Sequence, residues 1–513
     1  MSTKSELFGG PAPSLPDSIF AFIEPGVRRR PEKLAVVSNS QRGDHLAEAV
    51  RESTGSLPGC DKSTVLRWTY KEFFAVSTSL AENLAQKIAG SSPDSVIVTL
   101  IPNSVEYLLL LTASAIAKTG IASLDVGMLQ KARHAELERY LRQLQPCCIV
   151  VADAEAAAVV DGILEGSPLP RVAKVVLNDD KSSYAAQSDG AASWESLASL
   201  CKASPTEVIA QRMEAARHDD PDRTAVIVYT SGTSGGMPKA CLKHVSSLIA
   251  CLHATMTSRP DSKAEIVRIL QTANFRVIAP LVTMRSWYDG ATVVLSKHPF
   301  DVEAYLDDVE RERVTDLALI TAQLHAVAAS PGLRSRDLTS VKSVSAGGDI
   351  VNAPLVRLAE RTFPTAVFMT GHGMSECSGV FEWPYWEGSD SIPFHQGVSS
   401  VGRPSPGAKV RLVSDEGDVV PIGEVGELHV QHASIFKGYL REQKDMPEFY
   451  TEEGGNWFKT GDLGVFSERG DVYIVGRKKD VVKRAGVPVA PAAIESCLSA
   501  YAGSQVNLID HPC

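Results

Sequence analysis

Apolar residues fall along this chain in two spacings. Short β-branched runs, "AVVS" at 35–38, "VIVTLIP" at 96–102, "CIVVAD" at 148–153 and "VAKVVL" at 172–177, alternate with longer stretches such as 71–88 and 131–144 that carry apolar positions every three or four residues. A run apolar on both sides of the pleat suits a strand covered on both faces. The helical spacing supplies the covers, so the pattern predicts parallel sheets wrapped by helices. The longest apolar run, "YLLLLTASAIA" at 107–117 between Glu106 and Lys118, is too short to cross a bilayer and predicts a buried helix. Two interruptions, 40–63 and the Ser/Ala/Asp-rich 179–206, read as surface loops.

After residue 400 the texture changes. In "KVRLVSDEGDVVPIGEVGELHV", from 409, the turn "SDEGD" joins two β-type runs, which predicts a small antiparallel unit, expected as a barrel. The charged "GRKKDVVKRAG" at 476–486 and a helix-like "APAAIESCLSA" from 490 follow, with only a short tail beyond. No repeat of solenoid period interrupts this order.

At 513 residues the chain exceeds what one core supports, so two or more packed units are expected. Its 44% apolar and 22% charged residues are those of a folded soluble protein. A net charge of −10 argues against a nucleic-acid face and leaves room for a local anion pocket. The nine cysteines, at 60, 147, 148, 201, 241, 251, 377, 497 and 513, are odd in number and form no C-x-x-C pair. They read as free thiols of a reducing compartment, and with no secretory signal at the amino terminus the expected location is the cytoplasm, with no membrane span.

The most unusual composition lies at 229–240, "YTSGTSGGMPKA", directly after the β-branched "RTAVIVYT". Three readings compete. A Gly-rich bend at a strand end can turn successive N–H groups toward an anion, with Lys239 adding charge. Gly232-Thr233-Ser234-Gly235-Gly236 also satisfies G-x-S-x-G, which would make Ser234 a hydrolase nucleophile. The third reading is an ordinary Gly/Ser turn. The usual P-loop fails, because Lys239 stands between Pro238 and Ala240 rather than before Ser or Thr.

The rest of the chain bears on that choice. "YTSGTSGGMPKA", "SAGGDI" at 345–350, "GHGMSE" at 371–376, "SVGRPSPG" at 400–407, "GEVGELHV" at 423–430, "WFKTGDLG" at 457–464 and "GRKKDVVK" at 476–483 resemble the ordered motifs of the adenylate-forming superfamily of acyl-CoA synthetases, nonribosomal adenylation domains and luciferases. "RRPEKLAVV" at 29–37, "LRWTYKEF" at 66–73 and "IPNSVEYLLLLTA" at 101–113 resemble its amino-terminal landmarks, so the likeness runs from about 18 to about 500. The resemblance implies an α/β fold: a large N-terminal domain (1–480) of two α/β subdomains with parallel-rich sheets plus a small β-barrel, then a truncated small α+β C-terminal lid (481–513).

It also implies a chemistry. Such enzymes join a carboxylate to the α-phosphate of ATP, release pyrophosphate and pass the acyl group to a thiol of CoA or of a phosphopantetheine on a carrier-protein domain. Two anionic reactants must be neutralised and aligned with little covalent help. Thr230, Ser231, Gly232, Thr233, Ser234, Gly235 and Lys239 match the family's phosphate loop. Glu376 matches its Mg2+ ligand, and Lys239, Ser375 and Glu376 are the catalytic candidates. Gly347 and Gly348 match the flat backbone beside adenine. His372 stands where an aromatic residue, usually tyrosine, stacks on the base; Gly373 and Met374 continue that loop. Asp462 matches the acid that accepts from the ribose hydroxyls, Arg477 the arginine at ribose or phosphate, and Asp480 the hinge of the lid.

"GMSE" and "GRKKDVVK" look more like acyl- or aryl-CoA synthetases than amino-acid activators, which place an aspartate where Arg276 follows Phe275. The expected substrate is therefore a small carboxylic acid without a free α-amine, bound near Gly347 and Gly373, with Arg276 facing a polar or anionic part of it. Against the family pattern, "SGGMPKA" carries one extra residue, Ala240 replaces a glycine and Ser375 a threonine. No lysine follows Lys483, whereas the family bridges carboxylate and ATP with a late one, so reduced turnover is expected. The alternatives are the adenylation portion of a nonribosomal-synthetase-like or carboxylate-reductase protein, a nucleotide-binding pseudoenzyme, and a serine hydrolase built on Ser234.

Overall fold

A computed structural model describes residues 4–58, 65–92, 94–165, 169, 171–177, 194–230, 238–254, 265–296, 299–440, 446–452 and 455–480, with the backbone of 482–484 and 487–489. The β-branched runs form the middle of two seven-stranded sheets. In the first, Ala240–His244, Thr224–Tyr229, Gly120–Ser123, Val96–Leu100, Cys148–Val151, Ala173–Val176 and Glu195–Ser196 lie side by side, parallel except for Ala240–His244 at the edge. In the second the order is Val367–Gly371, Ser343–Gly347, Asp316–Ile320, Val267–Leu270, Thr292–Leu295, Leu34–Arg42 and Val65–Thr69, parallel except for Val65–Thr69.

Strand alternation explains why these runs are apolar throughout. In Val96–Leu100 every residue is buried, but Ile97 faces one core with Ile121, Val150 and Val226, while Val96, Val98 and Leu100 face another with Leu137, Tyr140 and Val160. The second sheet divides likewise: Val293 and Leu295 join the first core, and Val294 joins Ile269, Leu317 and Val344 in a third. The shared core is filled by helices Ile19–Arg29, Tyr70–Lys87, Val105–Ala117 and Ile278–Asp289, so one apolar mass backs both sheets. Helix Tyr70–Lys87 starts at a capping box between Thr69 and Glu72.

The third sheet is antiparallel and six-stranded, in the order Glu6–Phe8, Lys409–Val413, Gly426–Gln431, Gly455–Phe466 and Phe449–Glu452, with Val472–Arg477 also on Gly455–Phe466. Among the described residues its ladder does not close on itself.

The two expected surface loops need correction. Strand Leu34–Arg42 runs into the first, and helix Ala47–Thr54 follows with Ala49 and Val50 buried. Its polar residues have partners: Gln41 accepts from the Val105 N–H at 2.9 Å and donates to Glu106 at 2.9 Å, and His45 Nε2 lies 2.6 Å from Glu106. The second contributes Leu197, Leu200 and Cys201 to the core. The described cysteines, at 147, 148, 201, 241, 251 and 377, are buried and form no disulfide with one another. No helix among the described residues is long and apolar enough to cross a membrane. Of 481–513, only strands Val482–Arg484 and Val487–Val489 are described, as an antiparallel pair; the expected helix from 490 lies outside the described residues.

Candidate active site

In open α/β sheets, ligands collect where parallel strands end at their carboxyl side. Three such ends carry the motifs here. Thr224–Tyr229 leads to Thr230, Ser343–Gly347 to Gly348, and Val367–Gly371 to His372. They open on a cleft of about 870 Å³, walled also by Lys239, Arg276, Gly373, Met374, Ser375, Glu376, Thr460, Gly461 and Arg477.

Thr230 and Lys239 close the base of the Gly-rich loop: the Thr230 N–H donates to the Lys239 carbonyl at 3.0 Å, and the Lys239 N–H donates to Thr230 Oγ1 at 3.0 Å. Ser231, Gly232, Thr233, Ser234 and Gly235 lie outside the described residues. The chain then returns as Ala240–His244, antiparallel to the strand it left. A nucleophile elbow enters a helix after its strand, so this hairpin removes the structural context for a Ser234 hydrolase.

The loop after Gly371 is a tight one. Met374 N–H donates to the Cys377 carbonyl at 2.8 Å, and Gly373 bridges Ser378. This turn carries Glu376 into the cleft, where the Tyr439 hydroxyl donates to its Oε1 at 2.7 Å. Burial, and then the Glu376 carboxylate itself, push the Tyr439 phenol far above its ordinary range, so it stays protonated as a donor. Lys239 Nζ sits 4.7 Å from the centre of the Tyr439 ring.

Gly347 and Gly348 lie at a close backbone approach. A Cβ on Gly347 would stand 2.8 Å from the Gly371 carbonyl oxygen, and Gly348 has a φ of +87°. Behind the cleft, Asp462 is 3% exposed and doubly held: His372 Nε2 lies 2.7 Å from Oδ2 and Arg477 Nε lies 2.8 Å from Oδ1. Asp462 and Arg477 are opposite residues of adjacent strands, which explains their pairing. The His372 imidazole thus has a carboxylate partner at its edge and a T-shaped contact with Phe381, ring centroids 5.6 Å apart. Arg276 is exposed on the cleft wall, 5.4 Å from the Phe275 ring. Asp480 ends the short helix Lys478–Asp480, just past the wall residue Lys479.

The cleft is cationic in an acidic chain. Lys239, Arg276, Lys459, Arg477, Lys478 and Lys479 line it against Glu376, Glu427 and Glu448. That balance suits a polyanion. No group of three or more His, Cys, Asp or Glu suited to a resident metal occurs among the described residues. A single carboxylate such as Glu376 fits instead a magnesium ion that completes its shell with phosphate oxygens and water. A second cavity, about 430 Å³, is bordered by Trp383, Trp386, His253 and His432 with Pro406 and Gly407 of the 400–407 motif, and shares no lining residue with the cleft.

A family model described as AMP-binding enzyme matches residues 28–440. The chain belongs to that family. An acyl–CoA ligase of Pestalotiopsis microspora is 31% identical over 99% of this chain and 86% of the ligase. A 4-coumarate–CoA ligase of Arabidopsis thaliana is 31% identical over 54% of this chain and 49% of the ligase. Among solved structures, the luciferase-like enzyme of the nonluminescent mealworm Zophobas morio superposes with a TM-score of 0.71 at 22% identity, covering 92% of this chain and 98% of that one. ATP-bound MatB of Rhodopseudomonas palustris gives 0.69 at 22% identity, over 95% and 84%. The AMP-binding fold expected from the motifs is therefore the fold observed.

Motif reading missed Tyr439 on the cleft wall, and did not single out Glu427 and Lys459 inside the motifs at 423–430 and 457–464. Nothing local marks Tyr439. Its place comes from pairing with Cys241, far away in the chain, and only Gly438 before it hints at a special backbone.

Proposed function

We propose that this AMP-binding enzyme activates a small carboxylic acid with ATP and transfers the acyl group to the thiol of CoA. The observation that carries this reading is the convergence of Thr230, Lys239, Gly348, the turn from Gly373 to Glu376, and Arg477 on one cationic cleft. The CoA ligases among its relatives support the choice of acceptor.

In the first half-reaction a carboxylate oxygen of the substrate attacks the α-phosphorus, and the bond to pyrophosphate breaks. Lys239 and the loop behind Thr230 would hold the departing phosphates, and Arg477, oriented by Asp462 behind it, would meet the ribose. The flat backbone at Gly347 and Gly348 would admit the adenine. Magnesium, when bound at Glu376, would neutralise phosphate charge. In the second half-reaction the thiolate attacks the acyl carbonyl, AMP leaves with the electron pair of the broken bond, and a thioester remains. Since both reactants of the first step are anions, fixed positive charge is the main catalytic resource.

The acid would have no free α-amine, because Arg276 follows Phe275 where the amino-acid activators that the motifs resemble carry an aspartate. Exchange of labelled pyrophosphate into ATP tests the whole reading. Exchange should depend on an added carboxylic acid, and R276A should lower kcat/KM most for acids with a second polar or anionic group. Exchange stimulated best by a plain α-amino acid, or none with any acid in a broad panel, would contradict it.

A further inference from the structure

Tyr439 belongs to none of the motifs, yet it touches two of them. Its hydroxyl donates to Glu376 Oε1 at 2.7 Å, and its ring lies under the Lys239 ammonium at 4.7 Å. The segment that carries the ring is held by main-chain bonds on both sides of Tyr439. Leu242 N–H donates to the Gly438 carbonyl at 3.1 Å and Leu440 N–H to the Ala240 carbonyl at 2.8 Å, so the segment is an extra partner of the strand that follows the Gly-rich loop. Phe436 N–H donates to the Glu376 carbonyl at 2.8 Å, tying the same segment to the acid's backbone. The Phe436 ring packs edge-on to Tyr439 at 4.7 Å, and Tyr439 is 9% exposed.

We propose that Tyr439 is a positioning residue for the nucleotide site, setting the Glu376 carboxylate with its hydroxyl and the Lys239 ammonium with its ring face. The inference rests on the reading of the cleft given above. Glutamate and lysine side chains are rotamer-rich, and ordering them at the moment of binding costs free energy. A tyrosine fixed by backbone bonds orders both beforehand. With Oε1 engaged by the phenol, Oε2 is left to take the cation. The ring offers the ammonium a partner that a phosphate can displace.

The test separates the two contacts. Y439F removes only the hydroxyl, and Y439L removes hydroxyl and ring. Calorimetric ATP affinity is measured in EDTA and across a magnesium series. For Y439F the affinity in EDTA should stay within about twofold of the parent, while the magnesium concentration for half of the metal-dependent tightening rises about tenfold, the worth of one hydrogen bond to a charged group. Y439L should also weaken ATP in EDTA, because Lys239 loses its platform. In an E376Q background Y439F should change the magnesium response no further. A Y439F response identical to the parent, equal weakening with and without magnesium, or full additivity with E376Q would overturn the proposal. Incorporation of 3-fluorotyrosine at 439 needs no truncation: its 19F signal should shift when magnesium joins bound ATP and should not in E376Q, and an unmoved signal overturns it equally. If the parent binds no ATP, or E376Q keeps the full magnesium response, the reading of the cleft falls and takes this inference with it.

Discussion

Gly347 shows how little room one methyl group has in this site. A Cβ there would meet the Gly371 carbonyl oxygen at 2.8 Å, a backbone atom that cannot rotate away, and the two glycines are register partners in adjacent strands. G347A is therefore expected to cost about 1–3 kcal/mol in denaturant unfolding, the usual cost of forced overpacking. Its ATP affinity in calorimetry should fall as the two strand ends part. Gly371 is the internal control, since a Cβ on it meets nothing within 4 Å. G371A should stay within about 0.5 kcal/mol of the parent. Equal losses from both substitutions would show that the close approach is not what limits Gly347.

At the scale of elements, the last two strands of the third sheet carry Asp462 and Arg477 as a facing pair, and the next residue, Lys478, ties their end to Glu427 on a neighbouring strand. His429, with Nε2 3.8 Å away, and the Lys478 ammonium, at 2.9 Å, hold the Glu427 carboxyl down to about 2. Only the lysine contact is short enough for a hydrogen bond. A depressed carboxylate stabilises the fold above its ordinary pKa of about 4.5, and that contribution is lost as pH falls from there toward about 2. The thermal midpoint should drop across that window, and K478M should flatten the drop. An unchanged pH profile in K478M would count against the lysine's part. Helices and strands of this kind were largely legible in the chain: the run at 96–102 is strand Val96–Leu100, and 107–117 falls within helix Val105–Ala117. Their periodicity is local, so local reading finds it. The segment at 40–63 was misread because its polar residues were counted as solvent-facing, whereas Gln41 and His45 serve the buried start of a helix about sixty residues on. Tyr439 was missed for the same reason, its use being set by a partner strand rather than by its neighbours in sequence.

For the whole molecule, the decisive fact is the core shared by both seven-stranded sheets. Trp287 is fully buried in it, 4.9 Å from Phe73 and 5.8 Å from Tyr70, and the Tyr70 hydroxyl donates to the Ala291 carbonyl at 2.6 Å. W287A should cost about 3–5 kcal/mol. Scanning calorimetry should show one transition displaced to lower temperature, because neither sheet can lose this filling without exposing the other's inner face. A scan that splits into two transitions would mean the sheets stand on separate footings. The same shared filling constrains how the chain can change length. Neighbouring residues of Val96–Leu100 look into different interiors, so deleting or inserting one residue there would exchange the contents of two cores along the rest of the strand. Two residues at a time would keep each side chain on its own side. Indels in these strands are thus tolerable only in even numbers, a parity rule that the loops between them escape.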